Sequence, residues 1–276
     1  MKNNLTIIAN YPVPLRLGIF IIFLLILWLP VAIPLYWLLQ DDPNLTTIVT
    51  MAILYLEFIG LLFIWNRKVY KIKFWWRDYG LVFTRKNGIE LLNGLTLGLF
   101  FTFGLFIIEA IFGWVKFVQP DDNFTRIIFE GLLSALGIGL AEELFFRGWL
   151  LEELKKGYSR NIFVVTNGLI FAILHFIKPI GEVIRTFPQF PALFLLGVTL
   201  VWAKMGHSNR LGICIGLHGG LVWGYYIINV GQIVNYTGQV STLVTGIDNN
   251  PLAGIMGLIG LSLLSLLMRI PNNLRK

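Results

Sequence analysis

The stretch LGIFIIFLLILWLPVAIPLYWLL, residues 17–39, contains no charged side chain. An apolar run of about 20 residues is long enough to cross the hydrocarbon core of a bilayer as one helix. The whole chain has the same character, since 56% of its 276 residues are hydrophobic, 13% are charged and the mean hydropathy is +0.74. Soluble globular domains average about 25% charged residues. The composition therefore indicates an integral membrane protein and excludes an ordinary soluble enzyme.

Seven further apolar runs follow, so we predict an all-α fold: a polytopic membrane bundle of about eight transmembrane helices. The predicted spans are 17–39, 48–65, 91–115, one that begins near Ile127, 162–177, 187–203, 211–230 and 251–268. Backbone polar groups in lipid must bond within their own segment, which favours helices over open sheets. No repeat, low-complexity tract or linker divides the sequence. Residues 1–276 are therefore predicted to form a single integral membrane domain.

Basic residues predict the orientation of the bundle. With both termini in the cytoplasm, 18 of the 22 Lys and Arg residues lie on the cytoplasmic side, which is the asymmetry typical of cytoplasmic loops. The largest basic group lies between Arg67 and Lys86, whereas segment 231–250 contains no Lys or Arg. The pI near 9.5 follows from this topology, and no pattern indicates nucleic acid as a partner.

Against this apolar background, AEELFFRGWL at residues 141–150 places two glutamates and an arginine in the fourth predicted helix. Charged side chains at membrane depth cost at least about 2.5–3.5 kcal/mol each, so they usually face a bundle interior or a wet cavity. Glu143 and Arg147 are one helical turn apart and are predicted to pair on one face. Glu142 is turned away from both by about 100° or more. This leaves Glu142 as the free carboxylate.

A helical hairpin is predicted to bring His175 level with Glu142. Gly157 and Ser159 are typical of a helix end and a helix start. Glu142 precedes Gly157 by 15 residues, and His175 follows Ser159 by 16 residues. At a rise of 1.5 Å per residue, both side chains lie about 22–24 Å from the turn. A mid-span carboxylate and a mid-span imidazole can therefore meet inside the bundle.

His218 supplies a further ionisable group at membrane depth. It lies in ICIGLHGGLVWG on the seventh predicted span, where the glycines at 216, 219 and 220 permit close backbone approach. Isolated carboxylates elsewhere in the apolar runs are interpreted as structural hydrogen-bonding groups: Glu57, Glu109 and Glu130. Five ionisable groups on three spans cost too much to be structural alone. These are Glu142, Glu143, Arg147, His175 and His218.

The same residues form an ordered set of motifs: EELFFR at 142–147, FAILH at 171–175 and a later histidine at 218. The set resembles the CPBP (Abi) family of intramembrane proteases, which includes CAAX prenyl endopeptidases and bacteriocin-related membrane proteins. The resemblance covers about residues 126–230, the expected protease-like core. It implies an eight-helix bundle with a catalytic glutamate and histidine in a membrane cavity open to the cytosol.

Carried over residue by residue, the resemblance implies a role for each group. Glu142 would be the general base, His175 its partner on the attacking water, and His218 a donor to the oxyanion. The supporting residues would be Glu143, Arg147, Phe171 and Val222. The implied reaction hydrolyses a peptide bond of a membrane-associated or prenylated protein or peptide, within the lipid bilayer and with no cofactor.

Two alternatives stay open. Zinc could use the same Glu and His side chains as ligands, but no HExxH motif is present, and we favour the metal-free form. The second alternative comes from Val222, which occupies a position where the family commonly has Asn or a similar polar residue. Because valine cannot donate a hydrogen bond, a catalytically silent bundle that acts as a scaffold or assembly factor is the other class of function.

Overall fold

A computed structural model describes residues 5–120 and 122–269 of the chain. The predicted cytoplasmic termini, residues 1–4 and 270–276, lie outside the described residues. Contacts between residues divide the chain into two compact units, Met1–Asp78 and Tyr79–Lys276. The single integral membrane domain stays a prediction.

The first unit is built on two long apolar helices, α1 (Val13–Leu38) and α2 (Pro43–Trp65). They pack through aromatic rings, because Phe20 meets Phe58 and Trp65 edge to face with ring centroids 6.0 and 5.3 Å apart. The Asp42 side chain caps α2 by accepting a hydrogen bond from the Leu45 N–H, as acidic N-cap residues do. A π-helical turn, Asn66–Tyr70, and the short α3, Trp75–Asp78, complete the unit.

The second unit is also mainly helical. Its helices are α4 (Arg85–Ile111), α5 (Phe124–Glu143), α6 (Leu151–Lys155), α7 (Arg160–Leu174), α8 (Ile180–Thr186), α9 (Phe190–Gly206), α10 (Gly212–Val230), α11 (Thr242–Thr245) and α12 (Ile255–Arg269). A π-helical segment, Leu144–Leu150, joins α5 to α6. Two short strands, β1 (Val115–Phe117) and β2 (Val234–Tyr236), pair antiparallel with Val115 opposite Tyr236.

Each of the eight predicted apolar runs coincides with a helix, which confirms a helical membrane bundle. Six helical stretches in the described part of the chain are long and apolar enough to cross a membrane: Val13–Leu38, Pro43–Tyr70, Arg85–Ile111, Phe124–Lys155, Ile180–Gly206 and Gly212–Val230. The other two helices, α7 and α12, have 15 residues each, fewer than the roughly 20 of a straight span. The chain is an integral, multi-pass membrane protein.

Two predicted helix ends are wrong. The third run was expected to be helical to residue 115, but α4 ends at Ile111, because Gly113 adopts a φ of 75° that turns the chain into β1. The fifth run was expected to continue to residue 177, but α7 ends at Leu174. Pro179 follows closely, and a residue that precedes proline is driven out of the α region.

Glycines set the distance between α4 and α10. A Cβ on Gly216 would overlap the Leu91 carbonyl oxygen, and one on Gly220 would overlap that of Leu95. On another side of α10, a Cβ on Gly219 would lie 3.1 Å from the Ala135 carbonyl oxygen of α5. The predicted close approach at these glycines is confirmed. It holds α10, and with it His218, against both α4 and α5.

Candidate active site

The turn between α6 and α7 brings Glu142 and His175 to the same level. Nε2 of His175 lies 3.8 Å from Oε2 of Glu142, and Nε2 of His218 lies 3.9 Å from the same oxygen. Both distances exceed a direct hydrogen bond and suit a bridging water molecule. The Glu142 side chain is 33% exposed. The two histidines therefore converge on one carboxylate oxygen of Glu142.

His175 lies at the end of its helix, whereas the apolar run predicted a helix that continues to residue 177. It is the C-terminal cap of α7, with its Nδ1 atom 2.7 Å from the Phe171 carbonyl oxygen. A carbonyl oxygen only accepts hydrogen bonds, so Nδ1 carries the proton. The lone pair of the neutral ring is then on Nε2, the atom that faces Glu142.

Glu143 and Arg147 form the predicted pair. Nη1 of Arg147 donates to Oε1 of Glu143 at 2.8 Å, and neither side chain is exposed. The same oxygen lies 2.9 Å from Nδ1 of His218. A carboxylate accepts, so Nδ1 of His218 is the donor and its Nε2 atom is directed toward Glu142. Glu143 thus fixes the ring orientation of His218.

Phe171 is the apolar centre of this arrangement and is fully buried. Its ring centroid lies 4.4 Å from the Arg147 guanidinium carbon, 4.5 Å from the His175 ring and 6.0 Å from the His218 ring. Contacts of this kind between a cation and an aromatic face are favourable, more so when desolvated. Phe171 therefore packs against three of the ionisable residues at once.

Sequence reasoning missed the groups that hold the π-helical segment Leu144–Leu150. Nζ of the fully buried Lys204 donates to the Arg147 carbonyl at 2.5 Å and to Glu152 at 2.7 Å. Nδ2 of Asn167 donates to the Phe146 carbonyl at 2.8 Å. Lys204 directly follows the predicted span 187–203 and is one of the 18 basic residues predicted on the cytoplasmic side, but its side chain is fully buried. These donors fix the segment that carries Arg147.

A cavity of about 200 Å³ adjoins the two histidines. Its lining is Phe171, His175, Gln189, Ala192, Leu193, Leu196, His218, Leu221, Val222, Tyr225, Asn250, Leu252, Ala253 and Leu261. Apart from the histidines, no side chain in this lining is ionised at neutral pH. His218 and Val222 both line the cavity, as their spacing of one helical turn predicts. Val222 has no hydrogen-bond donor, and the neighbouring Trp223 does not supply one to the cavity. The indole N–H of Trp223 donates to the Ile128 carbonyl at 2.9 Å.

The glutamates and histidines of the site are also side-chain types that bind metal ions. Within residues 5–120 and 122–269, no group of three or more His, Cys, Asp or Glu side chains is arranged to hold one.

Residues 124–224 match the family model described as type II CAAX prenyl endopeptidase, Rce1-like. The match contains EELFFR, FAILH and His218, and it confirms the resemblance to CPBP intramembrane proteases. The class defined by fold and motifs is thus a multi-pass helical membrane protein with a CAAX-protease-like segment, which supports intramembrane protease activity in general. Neither the curated proteins nor the solved structures contain a significant match to the chain.

Proposed function

We propose that the chain is an intramembrane endopeptidase that hydrolyses a peptide bond of a membrane-associated substrate with water activated by Glu142 and His175. The observation that supports this most is the gap of 3.8 Å between the Glu142 carboxylate and the His175 imidazole. Oε2 of Glu142 has no hydrogen-bond partner within the described residues. A base must lie within reach of the proton it takes, directly or through one water.

The protonation pattern supports a defined orientation of that water. Nδ1 of His175 is bonded to the Phe171 carbonyl, so its Nε2 atom accepts one O–H of the water. Oε2 of Glu142 accepts the other O–H. The oxygen lone pairs then face away from both residues, toward a substrate carbonyl carbon in the cavity. Holding the nucleophile in this way supplies part of the rate enhancement through orientation.

The reaction then needs two proton movements. As the water oxygen bonds to the carbonyl carbon, Glu142 takes one water proton. When the C–N bond breaks, Glu142 delivers that proton to the leaving amine nitrogen. The water oxygen stays in the new carboxyl group, and the carboxylate of Glu142 is restored.

His218 is the proposed donor to the oxyanion that forms on the carbonyl. Because its Nδ1 atom donates to Glu143, donation from Nε2 requires the doubly protonated ring. The carboxylates of Glu142 and Glu143 flank the ring and supply the opposite charge that this form requires. Preorganised donors of this kind are worth about 2.7–4 kcal/mol in acyl transfer.

The cavity also indicates the kind of substrate. Nine of the fourteen lining residues have no polar side-chain atom, and a tenth, Tyr225, has only a hydroxyl. An uncharged apolar segment of a substrate therefore fits the cavity. A membrane protein or a lipidated, for example prenylated, peptide has this character. The partners we propose are such a substrate and the lipid bilayer, with no nucleic acid.

A silent scaffold or assembly factor of the same fold is the second candidate, and Val222 in the cavity lining is the observation that favours it. Comparing the membrane proteomes of cells with wild type and with Glu142→Gln separates the two. A protease produces new peptide termini in one or more membrane proteins only with the wild type. A scaffold gives identical termini in both and retains the same bound partner in both.

A further inference from the structure

The chain leaves α2 through a short segment of strongly basic composition. Residues 66–78, NRKVYKIKFWWRD, contain five Lys or Arg residues and one acidic residue, Asp78. The helical stretch Pro43–Tyr70 is long and apolar enough to cross a membrane, so this segment emerges at a membrane surface. Its five basic side chains are called the basic surface below: Arg67, Lys68, Lys71, Lys73 and Arg77.

The charges of the basic surface are exposed and have no counterion. All five residues are exposed, and within residues 5–120 and 122–269 no carboxylate lies within ion-pair distance of any of them. Other basic residues differ, since Arg126, Arg185 and Arg210 each pair with a carboxylate. Like charges that lie close together repel one another. An anionic partner at the basic surface would lower this repulsion.

The backbone of the segment has a defined conformation. The π-helical turn Asn66–Tyr70 ends at Lys71, whose φ of 60° lies in the left-handed region that few residues other than glycine adopt. Val69 and Trp75 are buried and fix one side of the segment, while the basic residues stay exposed. A loop that only sets topology needs its charges and no such fold. The arrangement is therefore that of a binding surface.

Two exposed aromatic rings lie among these cations. Phe63 and Phe74 are 42% and 45% exposed. The guanidinium carbon of Arg67 lies 4.5 Å from the Phe63 ring centroid. Nζ of Lys73 and the guanidinium carbon of Arg77 each lie 5.3 Å from the Phe74 ring centroid. Because aromatic side chains at a membrane surface lie at the level of the headgroups, the cations beside these rings lie at the depth of the lipid phosphates.

From these observations we infer that the basic surface binds the phosphate headgroups of anionic lipids in the adjacent leaflet, with Phe63 and Phe74 inserted at the interface. A lipid supplies a phosphate for the cations and acyl chains for the rings, whereas a nucleic acid or a soluble acidic peptide supplies only the charge. Basic clusters next to a transmembrane helix gain affinity for anionic lipid with each residue. The site contains no residue of the candidate active site and does not depend on the proposed endopeptidase function.

Lipid binding is measured by native mass spectrometry of the purified full-length chain, in micelles of neutral detergent that contain equimolar phosphatidylglycerol and phosphatidylcholine. Lys73→Gln/Arg77→Gln removes the two cations on the Phe74 ring. Lys116→Gln/Arg160→Gln is the matched control, because it removes two exposed charges outside the basic surface. Lys73→Arg/Arg77→Lys keeps both charges. Thermal unfolding without anionic lipid checks that each variant folds.

We expect the wild type to retain phosphatidylglycerol in preference to phosphatidylcholine, and this preference to fall about 10- to 30-fold in Lys73→Gln/Arg77→Gln. The matched control and the variant that keeps both charges should retain the preference of the wild type. Added salt should weaken the preference, because salt screens exposed charges. Excess inorganic phosphate at the same ionic strength should not displace the lipid.

Equal preference in the wild type and in Lys73→Gln/Arg77→Gln would overturn the inference and leave the basic residues as determinants of topology only. An equal loss of preference in the matched control would also overturn it, since net charge would then be the cause. Displacement by inorganic phosphate would show that the surface binds phosphate and not lipid, which contradicts the inference. None of these readings depends on enzymatic activity.

Discussion

Oε2 of Glu142 and Nε2 of His175 lie 3.8 Å apart across the hairpin that joins α5 and α7. Nε2 of His175 accepts hydrogen bonds because Nδ1 carries the proton, and a carboxylate oxygen also accepts, so one water molecule can donate to both. The turn at residues 156–159 and the π-helical segment Leu144–Leu150 together determine this distance. The account therefore depends on geometry in the hairpin as much as on the identity of the two side chains.

Val222→Asn should increase the rate of cleavage at least about 10-fold, equivalent to about 1.4 kcal/mol. Val222 lines the cavity with His218, and an amide there adds a donor for the oxyanion. Val222→Leu is the matched control, because it has a similar size and no donor, and it should not accelerate the reaction. The measurement is kcat on one membrane substrate. An equal rate for Val222→Asn and wild type would mean that another group already fills this role.

Activity should be independent of metal. If Glu142 and His175 hold water directly, incubation with a chelator and removal of the chelated ion should leave kcat unchanged. Elemental analysis of the purified protein should find no stoichiometric metal. Zinc at one per chain, lost together with activity and restored with it, would establish the metalloprotease alternative.

Gly216→Ala should lower the stability of the bundle by about 1–3 kcal/mol, the usual cost of overpacking a tight contact. Its new Cβ would overlap the Leu91 carbonyl oxygen, so α10 would have to move away from α4. Gly137→Ala on α5 is the matched control, since no atom lies within 4 Å of its Cβ position. Thermal unfolding in detergent compares the two. Equal melting temperatures would contradict the role of close packing at Gly216.

Lys204→Met should destabilise the protein by about 1–3 kcal/mol, because it leaves the buried Arg147 carbonyl without its side-chain donor. Lys155→Met is the matched control, since Lys155 pairs with the same Glu152 carboxylate but is partly exposed, and such pairs contribute about 0–1 kcal/mol. Denaturation of the two purified variants in mixed micelles measures the difference. A larger loss for Lys155→Met would show that Lys204 does not hold the π-helical segment.

The sequence predicted the helical membrane bundle and the convergence of its charged residues because both follow from regular spacing. Apolar runs determine the helices, and equal distances from one turn place Glu142 and His175 at one level. The π-helical segment could not be predicted in this way, because it depends on donors from α7 and α9 that lie far away in sequence. His175 lies at a helix end close to Pro179, whereas the apolar run continues to residue 177, so hydropathy alone places this helix end too late.

The cavity lining was predictable only in part. His218 and Val222 share a helix, so their common face follows from the helical period. Asn250 and Leu252 reach the cavity from the irregular segment before α12. No periodic pattern specifies such a segment, because its course is set by short 3₁₀ turns and by its tertiary contacts.

The most direct test of the account is the turnover of purified Glu142→Gln on a membrane substrate that the wild type cleaves. Glu130→Gln is the matched control on the same helix, because Glu130 is 46% exposed and pairs with Arg126, away from the two histidines. Both variants should fold, as checked by thermal unfolding. We expect Glu142→Gln to abolish cleavage, since an amide cannot take the water proton, and Glu130→Gln to retain it. Full cleavage by folded Glu142→Gln would contradict the assignment of Glu142 as the base.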